Sequence, residues 1–265
     1  MPAVEMDLVL DVGNSRTKLG LFQQDRLVTR GSTANGDMAA VRAFVADRVL
    51  RGIALGSTAA PDEGFVHALG VLAPVLVITG TTPAPVRSRY ATPLTLGADR
   101  LANVVAAVRR FPGRPVLVLD LGTCVTYDLC QADGTYQGGG ISPGMHMRAR
   151  AMNAYSARLP LIEPVGSPAL LGTDTEASLA AGIHFGMLGE LEGLIRRVGQ
   201  QVADLAVVLT GGDALRFVRG LESGIFALPQ LTLEGYHALL AHNRTLGGYP
   251  APAGAGPVDG PGPAG

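Results

Sequence analysis

The chain has 265 residues, 47% of them hydrophobic and only 16% charged, with a formal net charge of −1 and a mean hydropathy of +0.28. That length fits one large domain or two of ordinary size, and that composition buries a large core and excludes global disorder. No run of Lys or Arg gives the chain an electrostatic footprint for nucleic acid.

In chain order, Glu5 and Asp7 interrupt the apolar core that a signal peptide would need, and no apolar run reaches the roughly 20 residues of a membrane span, so a soluble cytoplasmic protein is expected. Leu8 to Leu10 form a short apolar run closed by Asp11-Val12-Gly13-Asn14, a strand and a tight turn. Lys18 to Phe22 read as its partner strand and Arg26 to Arg30 as a third. Val41, Phe44, Val45 and Val49 recur at helical spacing, which predicts a helix over Asp37 to Leu50. Buried strands are expected at Ile53 to Leu55 and Val75 to Ile78, with a helix at Phe65 to Leu72 between them.

Asp99 to Arg110 reads as the next helix, with Leu101, Val104, Val105 and Val108 as its inner stripe and Phe111-Pro112-Gly113 as its stop. The pattern then restarts: a strand at Val116 to Asp120, a turn, a strand at Thr126 to Cys130, a turn at Gly134 and a third strand. Thr175 to Val198 is a long apolar helical region, and a strand at Leu205 to Thr210 ends in Gly211-Gly212. A Gly/Pro/Ala tail over 246–265 is expected to be disordered. Cys124 and Cys130 read as reduced, half-buried thiols, and the histidines show no metal spacing.

The restart is a repeat. LVLDVGNSRTKLG begins at Leu8 and LVLDLGTCVTYDL at Leu117; Asp11, Gly13 and Thr17 of the first match Asp120, Gly122 and Thr126 of the second. The chain thus divides into two similar α/β lobes, 1–113 and 114–245, each opening with a hairpin whose first strand ends in an aspartate. One Asp-x-Gly turn is usually only a turn, and a duplicated fold can keep both turns for structure alone. Two in register also fit a shared cleft, where Gly13 and Gly122 let backbone N–H groups approach a phosphate and Asp11 and Asp120 hold a cation beside it.

These residues carry a resemblance. The twin hairpins resemble those of the acetate kinase, sugar kinase, heat-shock ATPase and actin superfamily. Within it, DVGNSRTK at Asp11, LGADR at Leu96, DLGTCVTYD at Asp120, GGGISPG at Gly138 and GTDTEASLAAGIHFG at Gly172 are similar, in order and spacing, to the type III pantothenate kinases. The resemblance implies two actin-like (ribonuclease H-like) lobes around a nucleotide cleft. It implies ATP-dependent phosphorylation of pantothenate to 4′-phosphopantothenate, the first step of coenzyme A biosynthesis.

The resemblance also implies residue roles. The ATP site would be Asp11, Val12, Gly13, Asn14, Ser15, Arg16, Thr17 and Lys18 together with Thr123. Either Lys18 or Arg16 supplies the positive charge, and Asp11 holds Mg²⁺ directly or through water. Asp120 would be the ligand of a monovalent cation, K⁺ or NH₄⁺. Asp99 would be the general base, although spacing alone favours an aspartate that merely caps its helix. Tyr90, Gly97, Ala98 and Arg100 would contact pantothenate. Thr175 would reach the pantothenate site of a neighbouring subunit, making the chain a homodimer with dimerisation helices in the second lobe. Gly211 and Gly212 lie near the adenosine or simply form a strand-to-helix turn. Three positions depart from the family pattern: Ser15, Cys124, and Asp174 beside Thr175. Two other readings compete: another small-molecule kinase or phosphatase of the superfamily, and a non-catalytic regulator that kept the fold.

Overall fold

The computed structural model describes residues 4–247 apart from 61, 165, 222 and 223, so nearly all of the expected disordered tail lies outside the described residues. The chain builds two sheets. In the first, β1 (Glu5–Val12), β2 (Thr17–Gln23) and β3 (Arg26–Thr33) form an antiparallel meander, after which β4 (Val49–Ser57) and β5 (Val75–Ile78) add parallel to β1, in the order β3-β2-β1-β4-β5. The second repeats this plan: β7 (Val116–Leu121), β8 (Cys124–Cys130) and β9 (Thr135–Pro143) meander, and β10 (Ala206–Thr210) and β11 (Ile225–Ala227) add parallel to β7. A two-residue strand, β6 (Arg87–Ser88), extends the second sheet beyond β9.

The apolar opening strands follow from this layering. Successive strand residues point to opposite faces, so a strand covered on both faces must be apolar throughout. Leu8 and Leu10 face α1 (Met38–Val45) and α2 (Glu63–Gly70) on the outer side, while Val9 faces inward. Leu117 and Leu119 likewise face α4 (Met145–Ala154) and α5 (Thr175–Gly199), and Val116 and Val118 face inward. Between the sheets lie α3 (Ala98–Arg110) and α7 (Leu231–Thr245), whose apolar residues join both inward faces in one core. The two helices cross closely because residue 235 is glycine: a Cβ there would collide with the Ala102 backbone. A short helix, α6 (Ala214–Phe217), follows β10.

Most predicted elements are present with boundaries moved by a few residues. The helix predicted over Asp37 to Leu50 is shorter. The backbone turns at Ala46, φ 51°, and the chain re-enters the sheet at Val49, so Val49 continues the helical spacing without belonging to the helix. The sequence reading did not anticipate α4, α6, α7, β6 or β11. Asp7, fully buried near the start of β1, anchors α7: it accepts from Arg51 of β4 at 2.5 Å and from Arg244 of α7 at 2.7 Å, and lies 3.2 Å from His237 Nε2. Burial alone would raise this carboxyl, but hydrogen bonds from His237, Arg51 and Arg244 outweigh it and hold it well below the usual carboxylate range. Among the described residues, no helix is long and apolar enough to cross a membrane.

Candidate active site

The two hairpin turns and the start of α3 meet. A cavity of about 180 Å³ is lined by Asp11, Gly13, Asn14 and Lys18 from the first hairpin, Asp120, Gly122 and Thr123 from the second, and Asp99 from α3. A wider cleft of about 620 Å³ shares Asn14, Asp99, Cys124 and Thr126 with it and continues past Gly97, Ala98 and Arg100. The remaining residues of the first turn stand apart from this cavity. Ser15 and Arg16 are exposed at the tip, with Arg16 Nη2 donating to Ser32 O at 3.5 Å. Val12 lines a second cavity, which Gly13 and Asn14 also border. Thr17 is buried and bonded to Asn35 Oδ1 at 2.9 Å, and the Asn35 amide donates to Gly13 O at 2.8 Å, so Asn35 ties both legs of the turn. Of the two candidate cations, Lys18 is the one at the site, 3.4 Å from Asp11 Oδ2.

Asp99 is not the cap of α3. Gly97 is, and a Cβ there would collide with the Asp99 carboxylate. Asp99 Oδ1 instead accepts from the Arg100 N–H at 2.8 Å, in the first turn, where the helix dipole favours negative charge. Arg100 is buried, not a surface arginine. Its Nη2 and Nε grip Asp128 at 2.7 and 3.1 Å, Tyr136 donates to the same carboxylate at 2.6 Å, and Nη1 reaches Tyr90 Oη at 3.3 Å. Burial disfavours the Arg100 charge, yet the bonds and charge of Asp128 hold its pKa above the ordinary value. Burial raises Asp128, with Arg100 and Tyr136 pulling it back.

Three carboxylates, Asp11, Asp99 and Asp120, face this cavity with one lysine. Burial raises the Asp11 carboxyl, Lys18 pulls it back and Asp99 raises it again. Asp120 is pushed from an ordinary 3.8 up to about 6, first by burial and then by the Asp99 charge, against the Asn103 hydrogen bond and Lys18. This unbalanced negative charge on hard oxygen donors fits added cations. Among the described residues no three Asp, Glu, His or Cys side chains converge into a metal cage. One or two of the carboxylates at this cavity, with substrate phosphates and retained waters, would suit Mg²⁺. Asp120 also has room beside it: Oδ1 abuts Gly211, φ +93°, and a Cβ at 211 would crowd that oxygen. Gly211 therefore touches the Asp120 site directly.

Thr175 is exposed at the start of α5, capped by Asp174, and lines a separate cavity of about 510 Å³ with Met152 and Gly172. Within one chain it is not part of the Asp99 cleft. Several side chains at the site were not anticipated. Thr232 lines the cavity, and Asn103 bonds Asp120. Tyr236, buried on α7, packs where a Cβ on Gly56 would collide with its ring; burial and then Asp11, Asp99 and Asp120 raise its phenol. The sequence offered one signal for these: Asn103 lies about one helical turn from Asp99 and Arg100, away from the Leu101, Val104, Val105 and Val108 stripe of α3.

A model of the family described as type III pantothenate kinase matches residues 7–197. Proteins named type III pantothenate kinase from Phocaeicola vulgatus and Bacteroides fragilis are 39% and 38% identical to this chain. The alignments cover 91% and 90% of this chain and 100% and 99% of those proteins. Among solved structures, a conserved putative Baf family transcriptional activator from Campylobacter jejuni superposes with a TM-score of 0.58 at 16% identity, over 90% of this chain and 99% of that one. A putative 2-dehydro-3-deoxygalactonokinase from Sinorhizobium meliloti gives 0.55 at 14% identity, over 91% and 99%. These likenesses carry the fold alone, the two-lobed actin-like architecture. The family match and the identity along nearly the whole chain carry more: the chain belongs to the type III pantothenate kinase family.

Proposed function

We propose that the paired hairpins and the start of α3 form one catalytic centre for the reaction of the family. That reaction is the ATP-dependent phosphorylation of pantothenate to 4′-phosphopantothenate, which opens coenzyme A biosynthesis. The observation that carries the proposal is the convergence of Asp11, Asp99, Asp120, Gly13 and Gly122 on a single cavity. The turn from Asp11 to Lys18 holds the nucleotide phosphates with backbone N–H groups and the Lys18 ammonium, and Thr123 adds its hydroxyl from the second turn. Asp11 holds Mg²⁺, and Asp120 holds K⁺ or NH₄⁺. When bound, these cations supply positive charge against the phosphates.

Asp99 accepts the proton of the pantothenate primary hydroxyl. As the hydroxyl oxygen bonds to the γ-phosphorus, the bridging P–O bond breaks and ADP leaves. In a loose transition state deprotonation is late, so a positioned carboxylate suffices. Gly97 and Ala98 leave room for the acceptor. Arg100, held by Asp128, presents its Nη1 edge beside Tyr90 to the pantothenate polar groups. Thr175 acts on a partner subunit in a homodimer. Its separation from the Asp99 cleft supports that reading, as do the exposed Leu94 on the cleft rim and Leu171 beside α5. A cytoplasmic enzyme divided near Gly113 completes the proposal.

The test is direct. Purified protein with ATP, Mg²⁺, K⁺ and pantothenate should yield ADP and 4′-phosphopantothenate in equal amounts. Asp99→Asn should lose about 10²- to 10⁴-fold in kcat with its Tm retained. Full activity in that variant would remove Asp99 as the base.

A further inference from the structure

Asp120 is held from one side. Its Oδ2 accepts from the Asn103 amide at 2.8 Å, and the Asn103 carbonyl accepts from the Thr232 hydroxyl at 2.9 Å. Asn103 is 1% exposed and Thr232 7%. Chemistry fixes the direction of this chain of bonds: an ionised carboxylate only accepts, so it takes the N–H side of the amide, and the carbonyl is left for the one proton Thr232 can give. A flipped amide would set a carbonyl against a carboxylate. The other oxygen, Oδ1, faces the side-chain-free flank made by Gly122 and Gly211. Thr232 lines the same cavity as Asp120.

The choice of donor matters. A lysine or arginine at position 103 would cancel the Asp120 charge and occupy the place of a cation. An amide orients the carboxylate and leaves its full negative charge available. Thr232 then keeps the amide from flipping.

We propose that Asn103 and Thr232 are positioning residues that set the affinity of Asp120 for its monovalent cation. They fix the carboxylate so that Oδ1 is presented toward the glycine-lined flank. Two of the three elements in this relay, α3 and α7, lie outside the hairpins, so the proposal extends the cation site to the central helical layer. It rests on the reading that Asp120 binds that cation.

The experiment uses full-length protein with Mg²⁺ and a non-hydrolysable ATP analogue. Thermal stability is followed as KCl or NaCl replaces choline chloride at constant ionic strength, and the half-saturating K⁺ concentration for turnover is measured in parallel. Wild-type protein should be stabilised by K⁺, and Asp120→Asn should not. Asn103→Ala should raise the half-saturating K⁺ by about tenfold or more, in the range found when outer partners of metal ligands are removed. Thr232→Val, nearly the same shape, should raise it by about threefold to fivefold, about the effect of a single modest hydrogen bond. Thr232→Ser should restore the wild-type value. Saturating K⁺ should recover most of kcat in Thr232→Val, whereas a general loosening of the fold would not be repaired by the cation.

If Asp120→Asn loses the K⁺ response while Thr232→Val and Asn103→Ala keep the wild-type half-saturation, the relay is packing only and the inference is overturned. If Asp120→Asn keeps the response, the cation reading itself fails and the relay falls with it. The Asp120→Asn arm alone tells these failures apart. Should Asn103→Ala not fold, Thr232→Val and its serine rescue still decide the matter.

Discussion

The two hairpins are nearly the same in sequence and different in electrostatics. Asp11, Gly13 and Thr17 match Asp120, Gly122 and Thr126 at identical spacing. Yet the strand registers differ by one residue. Val12 pairs with Thr17, leaving four residues in the first turn, whereas Leu121 pairs with Val125, leaving three in the second. A one-residue change of register moves every side chain to a new neighbour. Asp11 therefore sits across from Lys18, its own counter-charge, while Asp120 sits across from Thr126 and is bonded by the neutral amide of Asn103. Repetition supplied two turns of one design; the longer gives its aspartate the Lys18 ammonium, the shorter the Asn103 amide.

That contrast can be broken at either aspartate. Asp120→Asn should lower kcat/KM for ATP by about 10²- to 10³-fold, as the loss of a key electrostatic group does, and should make rates in K⁺ and Na⁺ equal. Asp11→Asn should cost about 10²-fold but keep the preference for K⁺. Steady-state kinetics in the two salts separates them; the same salt response in both variants would erase the distinction.

Stability gives a second contrast. With the Asp120 pKa at about 6 in the folded state against 3.8 unfolded, the folded chain still holds a proton that the unfolded chain has released between about pH 4 and 6. Cation-free stability should therefore fall as pH rises through that window and stay lower above it. Asp120→Asn removes the effect. Denaturant titrations should find it equal to wild type near pH 4 and more stable at pH 7, by up to about 3 kcal/mol.

Smaller effects sharpen the picture. Lys18→Met should raise KM for ATP about tenfold, a loss of roughly 1.4 kcal/mol, without moving the K⁺ half-saturation. Asn35→Ala, which unties the first turn, should cost about 1 kcal/mol of stability and raise KM for ATP a few-fold. Among the described residues, the second turn has no such side-chain tie. There the Gly144 N–H bonds Thr123 O at 3.2 Å, and a Cβ on Gly144 would collide with the turn, so Gly144→Ala should mimic the Asn35 defect on the other hairpin.

Much of this architecture was legible because buried strands and amphipathic helices leave periodic traces. LVLD at both openings, the α3 stripe and the long α5 were readable on those grounds. Helix α7 was not. It is buried at Leu231, Leu233, Tyr236, Leu239 and Leu240 but also at Thr232, His237 and Asn243, and a helix covered on nearly every side shows no apolar stripe. The partner of Arg100 was equally hidden, since Asp128 lies 28 residues away on strand β8. The family resemblance pointed to Asp11, Asp99 and Asp120. It did not point to Asn35, Asn103 or Thr232, which hold the turns and Asp120 in place and carry no motif of their own.

Helix α7 has one more consequence, for the order in which the enzyme is made. Thr232 comes 129 residues after its partner Asn103, and the clasp of Asp7 by Arg244 joins the opening strand to the last turn of α7. Synthesis therefore delivers both hairpins well before the helix that braces them. A nascent chain still short of Leu231 has the motifs of a kinase but neither the hydroxyl behind Asn103 nor the tyrosine that fills the space beside Gly56. A product cut short before Leu231 would lack the layer that, with α3, joins the inward faces of the two sheets, and would leave apolar strand faces bare to water.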